Sequence, residues 1–225
     1  MGDLAPFAKI PMQPRAVSKG DIVIDNRAMS KRLYLVTSGW FYAYSFLPNG
    51  RRQVYHIYQE GDFIGFEDMM HSKNAFSAGA LTAGRICEID IPAINNILGS
   101  HPRFASYLYA VSSLNHIVMM DRMQSIARQN PRERVAHFLL EMANRVRVTS
   151  KFHSGQSGNS LTFNLPMVQD LFADCVGLTA VHISRTLTWM TQEGLIARPS
   201  RTLITIKDED GLIELASYRN RYKRD

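Results

Sequence analysis

The segment 165–196, LPMVQDLFADCVGLTAVHISRTLTWMTQEGLI, carries the most specific structural pattern in this chain of 225 residues. Two short stretches with apolar residues at helical spacing flank a turn that contains Gly177. Thr179 stands where an N-cap of the second stretch belongs, and Gly194 can end that stretch as a C-cap residue. A helix, a tight turn with glycine and a second helix form a helix-turn-helix. The sequence therefore predicts this motif, with its second helix at about 179–193.

A β-hairpin is predicted directly after the second helix. Apolar residues at 195–196 and 203–206 enclose a turn that carries Arg198 and Arg201, and the pattern is typical of a wing beside a recognition helix. Segment 175–207 holds four basic residues against one acidic residue. The helix-turn-helix and the basic wing, in this order, predict a unit that binds double-stranded DNA.

The second helix of such a motif presents its N-terminal residues to base edges in the major groove. Arg185 has the planar guanidinium that can bond guanine at two atoms, and Thr179 at the helix start suits a phosphate. The competing interpretation is that the arginines merely form a solvated surface, but the turn, the cap and the wing occur together. We predict DNA contacts from Thr179, Ala180, Val181, His182, Ser184, Arg185, Thr188 and Arg201.

The first hundred residues have the pattern of strands. Segments 32–36, 40–46 and 53–58 are short and rich in aromatic and β-branched residues. Turn residues separate them at roughly the spacing of an all-β sandwich or barrel, and Asn49-Gly50 suits a tight hairpin turn. An all-β domain followed by a helical one predicts an α+β chain.

A long helix is predicted at 103–129, since about 27 residues have a helical pattern with no internal glycine or proline. Val111, Leu114, Val118 and Ser125 fall at heptad-like positions on it. The β-domain could cover this stripe, but we favour a second copy of the same helix, which predicts a homodimer.

The helix ends at a strong boundary. Asn130 can cap a new helix, Pro131 suits its first turn, and Glu133 stands three residues past the cap. The polar, glycine-rich stretch 150–160 is predicted to be a loop. These signals divide the chain into a β-domain at 1–102, a dimerisation helix at 103–129 and a DNA-binding domain at 130–225.

Composition excludes several other classes of protein. Hydrophobic residues make up 45% and charged residues 20%, as in an ordinary folded domain, and no apolar run is long enough to span a membrane. The N-terminal residues lack a signal peptide, and the two cysteines are too few for a disulfide framework, so we expect a cytoplasmic protein. We find no phosphate-binding glycine loop, no HExxH pair and no nucleophile elbow, which argues against an enzyme.

Three segments resemble the Crp/Fnr family, named after the cyclic AMP receptor protein and the fumarate-nitrate regulator. They are GDFIG at 61–65, PRERV at 131–135 and GLT at 177–179, followed by Ser184 and Arg185. The resemblance implies a β-roll sensor domain, that is a double-stranded β-helix of cupin-like form. It also implies a dimerising helix and a winged helix that binds a palindromic operator and acts on RNA polymerase.

Two positions depart from the family pattern. Many members carry Glu where this chain has Val181, and an apolar side chain can contact a thymine methyl but cannot accept from cytosine. We therefore expect an operator that differs from the best-known family consensus. Members often carry Thr at Val168, where its hydroxyl caps the first motif helix; its absence costs about 1 kcal/mol.

The effector site of the β-domain departs further. The family's nucleotide-binding members hold the phosphate with an Arg-Ser pair and the ribose with Glu, whereas the matching positions here are Phe76-Ser77 and Phe66. A buried phosphate without a cation is unfavourable, so we expect a ligand other than cyclic AMP. The iron–sulfur branch of the family uses N-terminal cysteines, and residues 1–86 contain none. We expect no cofactor, and the effector stays open.

Several weaker alternatives remain. His71 resembles the haem-ligating histidine of the carbon-monoxide-sensing branch, which would make the protein a haem-based gas sensor, although a solvated histidine is the simpler interpretation. Oxidation of Cys175 could switch DNA binding off, but a small buried core residue is more common. The winged helix could also contact protein instead of DNA. An apolar effector pocket or plain core could be formed by Phe63, Phe66, Met70, His71 and Phe76.

Overall fold

The computed structural model describes residues 11–29, 32–68, 71, 73–153 and 161–223. The chain forms two compact units, Met1–His116 and Ile117–Asp225. The long predicted helix contributes its first half to one unit and its second half to the other.

In the described part of the first unit, eight strands form two four-stranded sheets in which every pairing is antiparallel. The strand order is β1-β8-β3-β6 in one sheet and β2-β7-β4-β5 in the other. This confirms the predicted β-domain and the α+β class. The strands are β1 (Gln13–Val17), β2 (Ile22–Ile24), β3 (Arg32–Ser38), β4 (Phe41–Phe46), β5 (Arg52–Tyr58), β6 (Phe63–Ile64), β7 (Ser77–Ala80) and β8 (Gly84–Asp90).

The alternation of side chains along the strands builds two layers of core. All eight strands contribute to a cluster of apolar and aromatic side chains that includes Tyr34, Val36 and Phe41. Leu33 and Ile89 point to the opposite face of their sheet, where they pack with side chains of two helices. These are α1 (Ile91–Ser100) and the beginning of α2 (Pro102–Arg128). The first sheet is therefore buried on both faces.

The second unit contains the end of α2 and a winged helix fold. Its other described elements are α3 (Pro131–His153), β9 (Thr162–Asn164), α4 (Gln169–Val176), α5 (Ala180–Gln192), β10 (Ile196–Ala197), β11 (Leu203–Ile206) and α6 (Glu209–Ala216). The strands form one sheet in the order β10-β11-β9, so the predicted hairpin gains β9 as a third strand. The prediction of a loop from residue 150 was wrong in part, because α3 continues to His153; residues 154–160 lie outside the described part.

The predicted capping of a new helix after the long helix is present in atomic detail. Asn130 Oδ1 accepts the N–H groups of Arg132 and Glu133, and the Glu133 carboxylate accepts the N–H of Asn130. This reciprocal capping box satisfies N–H groups that a helix start otherwise leaves unpaired. None of the helices in the described ranges is long and apolar enough to cross a membrane.

Candidate nucleic-acid interface

The turn of the helix-turn-helix depends on Gly177. This residue has φ +66° and ψ +37°, a left-handed conformation that glycine adopts without steric cost, and it ends α4. The next residue, Leu178, donates its N–H to the carbonyl of Ala173 at 3.0 Å. Gly177, predicted from the sequence to lie in the turn, therefore also determines the backbone conformation of the turn.

The start of α5 is capped as predicted. The Thr179 hydroxyl accepts the backbone N–H of His182 at 3.3 Å and also lies 3.1 Å from Nδ1 of the His182 ring. The first helix of the motif, α4, has no such cap, because the side chain of Val168 at its N-cap position contains no hydrogen-bond acceptor. The first turn of α4 therefore lacks a side-chain cap, as expected from Val168 standing where family members often carry Thr.

The two faces of α5 have different characters. Ile183, Leu187 and Met190 are buried and fix the helix to the core of the second unit. The opposite face carries Val181, His182, Arg185 and Thr188, all of them exposed, while Ala180 and Ser184 are half-buried at its margin. Val181 keeps 58% of its surface exposed. The predicted contact residues of the helix therefore share one open face.

The wing lies in the β10–β11 hairpin. Arg201 at its tip is exposed, and the hydroxyl of Ser200 accepts the N–H of Leu203 at 3.2 Å, which tightens the turn. Arg198 is half-buried, and its Nε is a buried donor without a hydrogen-bond partner among the described residues. A phosphate oxygen is the kind of acceptor that such a donor would accommodate.

Sequence reasoning missed a fourth basic group at this surface, in addition to Arg185, Arg198 and Arg201. The guanidinium of Arg132, at the start of α3, lies 4.0 Å from the ring centroid of Trp189 on α5. Such a cation–π contact holds a positive charge beside the recognition helix. The two residues are 57 positions apart, so only the tertiary fold brings them together.

Arg134 supports the motif from behind. Its Nε donates to the carbonyl of Gln129 at 2.8 Å, and its Nη1 lies 3.5 Å from the carbonyl of Val176. These carbonyls belong to the ends of α2 and α4, where helices leave acceptors unpaired. One guanidinium thereby ties the end of α2 to the turn of the motif.

The predicted dimer stripe needs a correction. Val118 and Ser125 are only 3% and 5% exposed within one copy of the chain, so they offer little surface to a second copy. Val111 and Leu114 are half-buried. The large exposed apolar side chains of α2 fall elsewhere on the helix, at Tyr107, Tyr109, Ile117, Met119, Met120, Met123 and Ile126. The heptad pattern therefore predicted an interface in which two of the four residues, Val118 and Ser125, are buried within a single copy of the chain.

The predicted effector pocket does not form as one site. Phe63 and Phe66 belong to the outer cluster beneath α1 and α2, whereas Phe76 packs against the inner cluster with its ring 4.6 Å from that of Tyr55. Phe63 lies on β6 of the first sheet, whereas Phe76 directly precedes β7 of the second sheet, and this placement separates the rings. Met70 lies outside the described residues, and His71 is exposed.

The residues at the family's nucleotide position do not fit a cyclic nucleotide. Phe76 stands where the phosphate needs a cation, and the buried hydroxyl of Ser77 already accepts the N–H of Asn26 at 3.2 Å. Haem is not supported either, because a ligating histidine has to lie in an apolar pocket, and His71 is exposed. Among the described residues, no group of three His, Cys, Asp or Glu side chains is arranged to hold a metal ion.

The structure supports the simpler interpretation of Cys175, that of a small buried core residue. Its side chain is 3% exposed and packs on the buried face of α4. A thiol without access to solvent reacts slowly with oxidants, so the fold protects this residue.

Comparisons with known proteins match both units. The family model described as a Crp-like helix-turn-helix domain matches residues 133–215, and the model described as a cyclic nucleotide-binding domain matches residues 14–101. The nitrogen fixation regulation protein FixK of Azorhizobium caulinodans is 28% identical over 204 residues, which are 91% of this chain and 79% of that protein. The fumarate and nitrate reduction regulatory protein of Escherichia coli is 25% identical over 217 residues, 96% and 83% of the two chains.

A solved structure shows the same fold. The structure of FixK2 from Bradyrhizobium japonicum superposes with a TM-score of 0.79 at 24% identity, covering 91% of this chain and 96% of that chain. The β-domain, the long helix and the winged helix, in this order, define a transcription regulator with a helix-turn-helix DNA-binding domain. The chain belongs to the Crp/Fnr family, because both characteristic domains and its full-length relatives agree.

Proposed function

We propose that the protein acts as a homodimer that binds a palindromic operator with α5 in the major groove of each half-site. The observation that carries this proposal is the open face of α5, on which Val181, His182, Arg185 and Thr188 are exposed beside the basic wing. A helix of this length with a capped, uncovered N-terminal half matches the geometry by which helix-turn-helix proteins read bases.

The residues have distinct roles in this arrangement. Arg185 bonds a guanine through its guanidinium, and Val181 contacts a thymine methyl or excludes a polar base edge. Ser184 and Ala180, at the margin of the open face, approach the bases, whereas Thr179, His182 and Thr188 bond phosphates or bases near the helix start. Arg201 at the wing contacts a phosphate, and Arg132 and Arg198 add positive charge on the same surface.

The dimer contact runs along α2. Its exposed methionines Met119, Met120 and Met123, with Ile117 and Ile126, offer apolar side chains that a second copy of the helix can cover. Of the four residues predicted for this interface, Val111 and Leu114 border it, and Val118 and Ser125 support it from inside. Two copies would place two recognition helices about one turn of DNA, roughly 34 Å, apart.

The remaining parts of the proposal follow from the family. We infer action on RNA polymerase in the cytoplasm, without catalytic activity, since the named relatives are regulators. Protein contact through the winged helix is the alternative, and DNA binding tests it directly. The residues of the β-domain favour control by something other than a cyclic nucleotide, because Phe76 replaces the cation.

The test begins with selection of binding sites from a randomised DNA pool by the purified protein. We expect a palindromic site, bound with an affinity that falls steeply with salt. Arg185→Ala should weaken binding by about 2–6 kcal/mol over two half-sites, measured by fluorescence anisotropy, because each lost bidentate contact is worth about 1–3 kcal/mol.

Arg27→Ala is the matched control, since Arg27 is an exposed arginine of the β-domain. It should leave the affinity unchanged, and sedimentation should show the same dimer for all three proteins. Wild-type affinity of the Arg185→Ala dimer, or a selection that returns no common site, would contradict the proposal.

A further inference from the structure

A cavity of about 260 Å³ lies in the second unit, away from the recognition helix. Its walls come from the end of α2, from α3 and from the segment that follows α6. Asp121, Ser125 and Gln129 line it from α2, and Arg219 and Arg221 line it from the segment after α6. None of the residues assigned to DNA or to the dimer contact needs this space, apart from the buried Ser125.

His137 of α3 forms the floor of this cavity. The residue is only 8% exposed, and its ring packs edge-on against Tyr218, with 5.1 Å between the ring centroids. Neither ring nitrogen has a hydrogen-bond partner among the described residues. The ring nitrogens are not among the fully buried unpaired atoms, so they reach the open space of the cavity and are available to a bound molecule.

The other polar groups in the walls are largely satisfied. Asp121 accepts two hydrogen bonds from the Arg221 guanidinium, at 2.7 and 3.0 Å, so its charge is neutralised. Ser125 donates to Gln129, which in turn donates to the carbonyl of Ala216. Arg219 has no hydrogen bond or ion pair among the described residues. The groups left over are therefore a guanidinium and an imidazole, both of which can donate, and the walls carry one excess positive charge.

We propose that this cavity is a binding site for a small oxyanion, a carboxylate or phosphate group, held by Arg219 and His137. A guanidinium fork matches the paired oxygens of such a group, and the imidazole N–H supplies a second donor from the buried side. The volume admits a small metabolite and excludes a nucleic acid strand. This site goes beyond the proposed DNA-binding function and does not depend on it.

The test is a titration of the ¹⁵N-labelled full chain with sodium phosphate, followed by NMR at the ring nitrogens of histidine. Sodium chloride keeps the ionic strength constant, and His71, an exposed histidine of the first unit, is the internal reference. We expect a saturable shift of the His137 signals that weakens in Arg219→Gln, together with a rise of the His137 pKa, because a bound anion stabilises the imidazolium.

The charged neighbours of His137 set the starting point for this measurement. Burial lowers its pKa, Glu141 and Asp121 raise it, and Arg122 lowers it. In Arg219→Gln the apparent affinity should fall about tenfold, the effect of losing one charge-assisted contact. Arg27→Gln, a change at an exposed arginine of the first unit, should bind as the wild type does.

A second titration with sodium acetate separates the two sources of the oxyanion. Saturation by phosphate, by acetate or by both, with an apparent affinity that falls about tenfold in Arg219→Gln, supports the site. A shift that never saturates with either anion, or that is equal in wild type and Arg219→Gln, overturns it. Circular dichroism of the variants should match the wild type, because both arginines are exposed.

Discussion

The β-domain and the DNA-binding unit differ in what fills their interiors. Between the two sheets of the β-domain lie apolar and aromatic side chains from all eight strands. The second unit buries an ion pair, in which the Arg122 guanidinium donates to both oxygens of Glu141 at 2.7 Å. Both side chains are more than 90% buried. A charge of this kind is tolerated only because its partner is in place.

The contrast bears on function. Among the described residues of the β-domain no arginine or lysine is buried, so we expect its interior to offer no strong cation to an anionic effector. The buried pair of the second unit joins α2 to α3, and Arg134 joins the end of α2 to the motif turn. The geometry of the DNA-binding unit therefore depends on a few directional contacts between charged groups and carbonyls as well as on apolar packing.

The largest effect is expected for Arg122→Met, which tests how much the second unit depends on its buried ion pair. The change leaves the Glu141 carboxylate buried without a partner, and we expect the second unit to lose about 3–5 kcal/mol of unfolding free energy. Urea unfolding followed by the fluorescence of Trp189, in a Trp40→Phe background, measures this unit by itself, because each unit contains one tryptophan.

The double variant Arg122→Met with Glu141→Leu is the matched control. It removes both charges and replaces them with apolar groups of similar size, so most of the lost stability should return. A loss below about 1 kcal/mol in the single variant would show that the pair is dispensable, and the contrast between the two interiors would then fail.

Local signals explain why the DNA-binding motif could be predicted from the sequence. Gly177 provides the left-handed turn, Thr179 caps α5, and Asn130 with Glu133 caps α3, and each of these contacts spans five residues or fewer. Hydrophobic periodicity likewise located the strands and the long helix.

The features that the sequence did not reveal depend on distant parts of the chain. Phe63 and Phe76 were grouped by type, but Phe63 belongs to the first sheet and packs in the outer cluster, whereas Phe76 lies next to the second sheet and packs against the inner cluster. Val118 and Ser125 fit a heptad, yet the tertiary fold turns them inward. The contact of Arg132 with Trp189 joins two helices that no sequence pattern relates.

A smaller effect is expected at the start of α4, the one weak helix start in the motif. Val168 is 64% exposed and has the extended backbone of an N-cap, with φ −73° and ψ +157°, but no acceptor in its side chain. Val168→Thr should raise the stability of the second unit by about 1 kcal/mol, because the hydroxyl can accept an N–H of the first turn. The Trp189 signal in urea measures it.

The complementary change is Thr179→Val, which removes the existing side-chain cap of α5. It should lower stability by a similar amount, about 1 kcal/mol. If Val168→Thr leaves the midpoint unchanged while Thr179→Val shifts it, then α4 is already held by packing, and capping matters only for the recognition helix.

The smallest expected effect is a difference in how the two units respond to acid. Hydrogen bonds from the Arg147 guanidinium lower the pKa of Glu209 in the second unit, so this carboxylate stabilises the fold above its ordinary pKa of about 4.3 and loses that contribution as the pH falls through the lowered value. In the β-domain, burial raises the pKa of Asp68, which means that its charged form costs stability at neutral pH and that protonation removes this cost.

Unfolding between about pH 6 and pH 4, with Trp40 and Trp189 as separate reporters, tests the two signs. Glu209→Gln should reduce the stability of the second unit more at pH 6 than at pH 4, by about 1 kcal/mol or less. Asp68→Asn keeps an acceptor for the N–H of Ala75 and should favour the β-domain more at pH 6 than at pH 4. If both variants changed the unfolding free energy in the same direction between pH 4 and pH 6, the two carboxylates would respond to their surroundings in the same way. The proposed electrostatic difference between the two units would then be wrong.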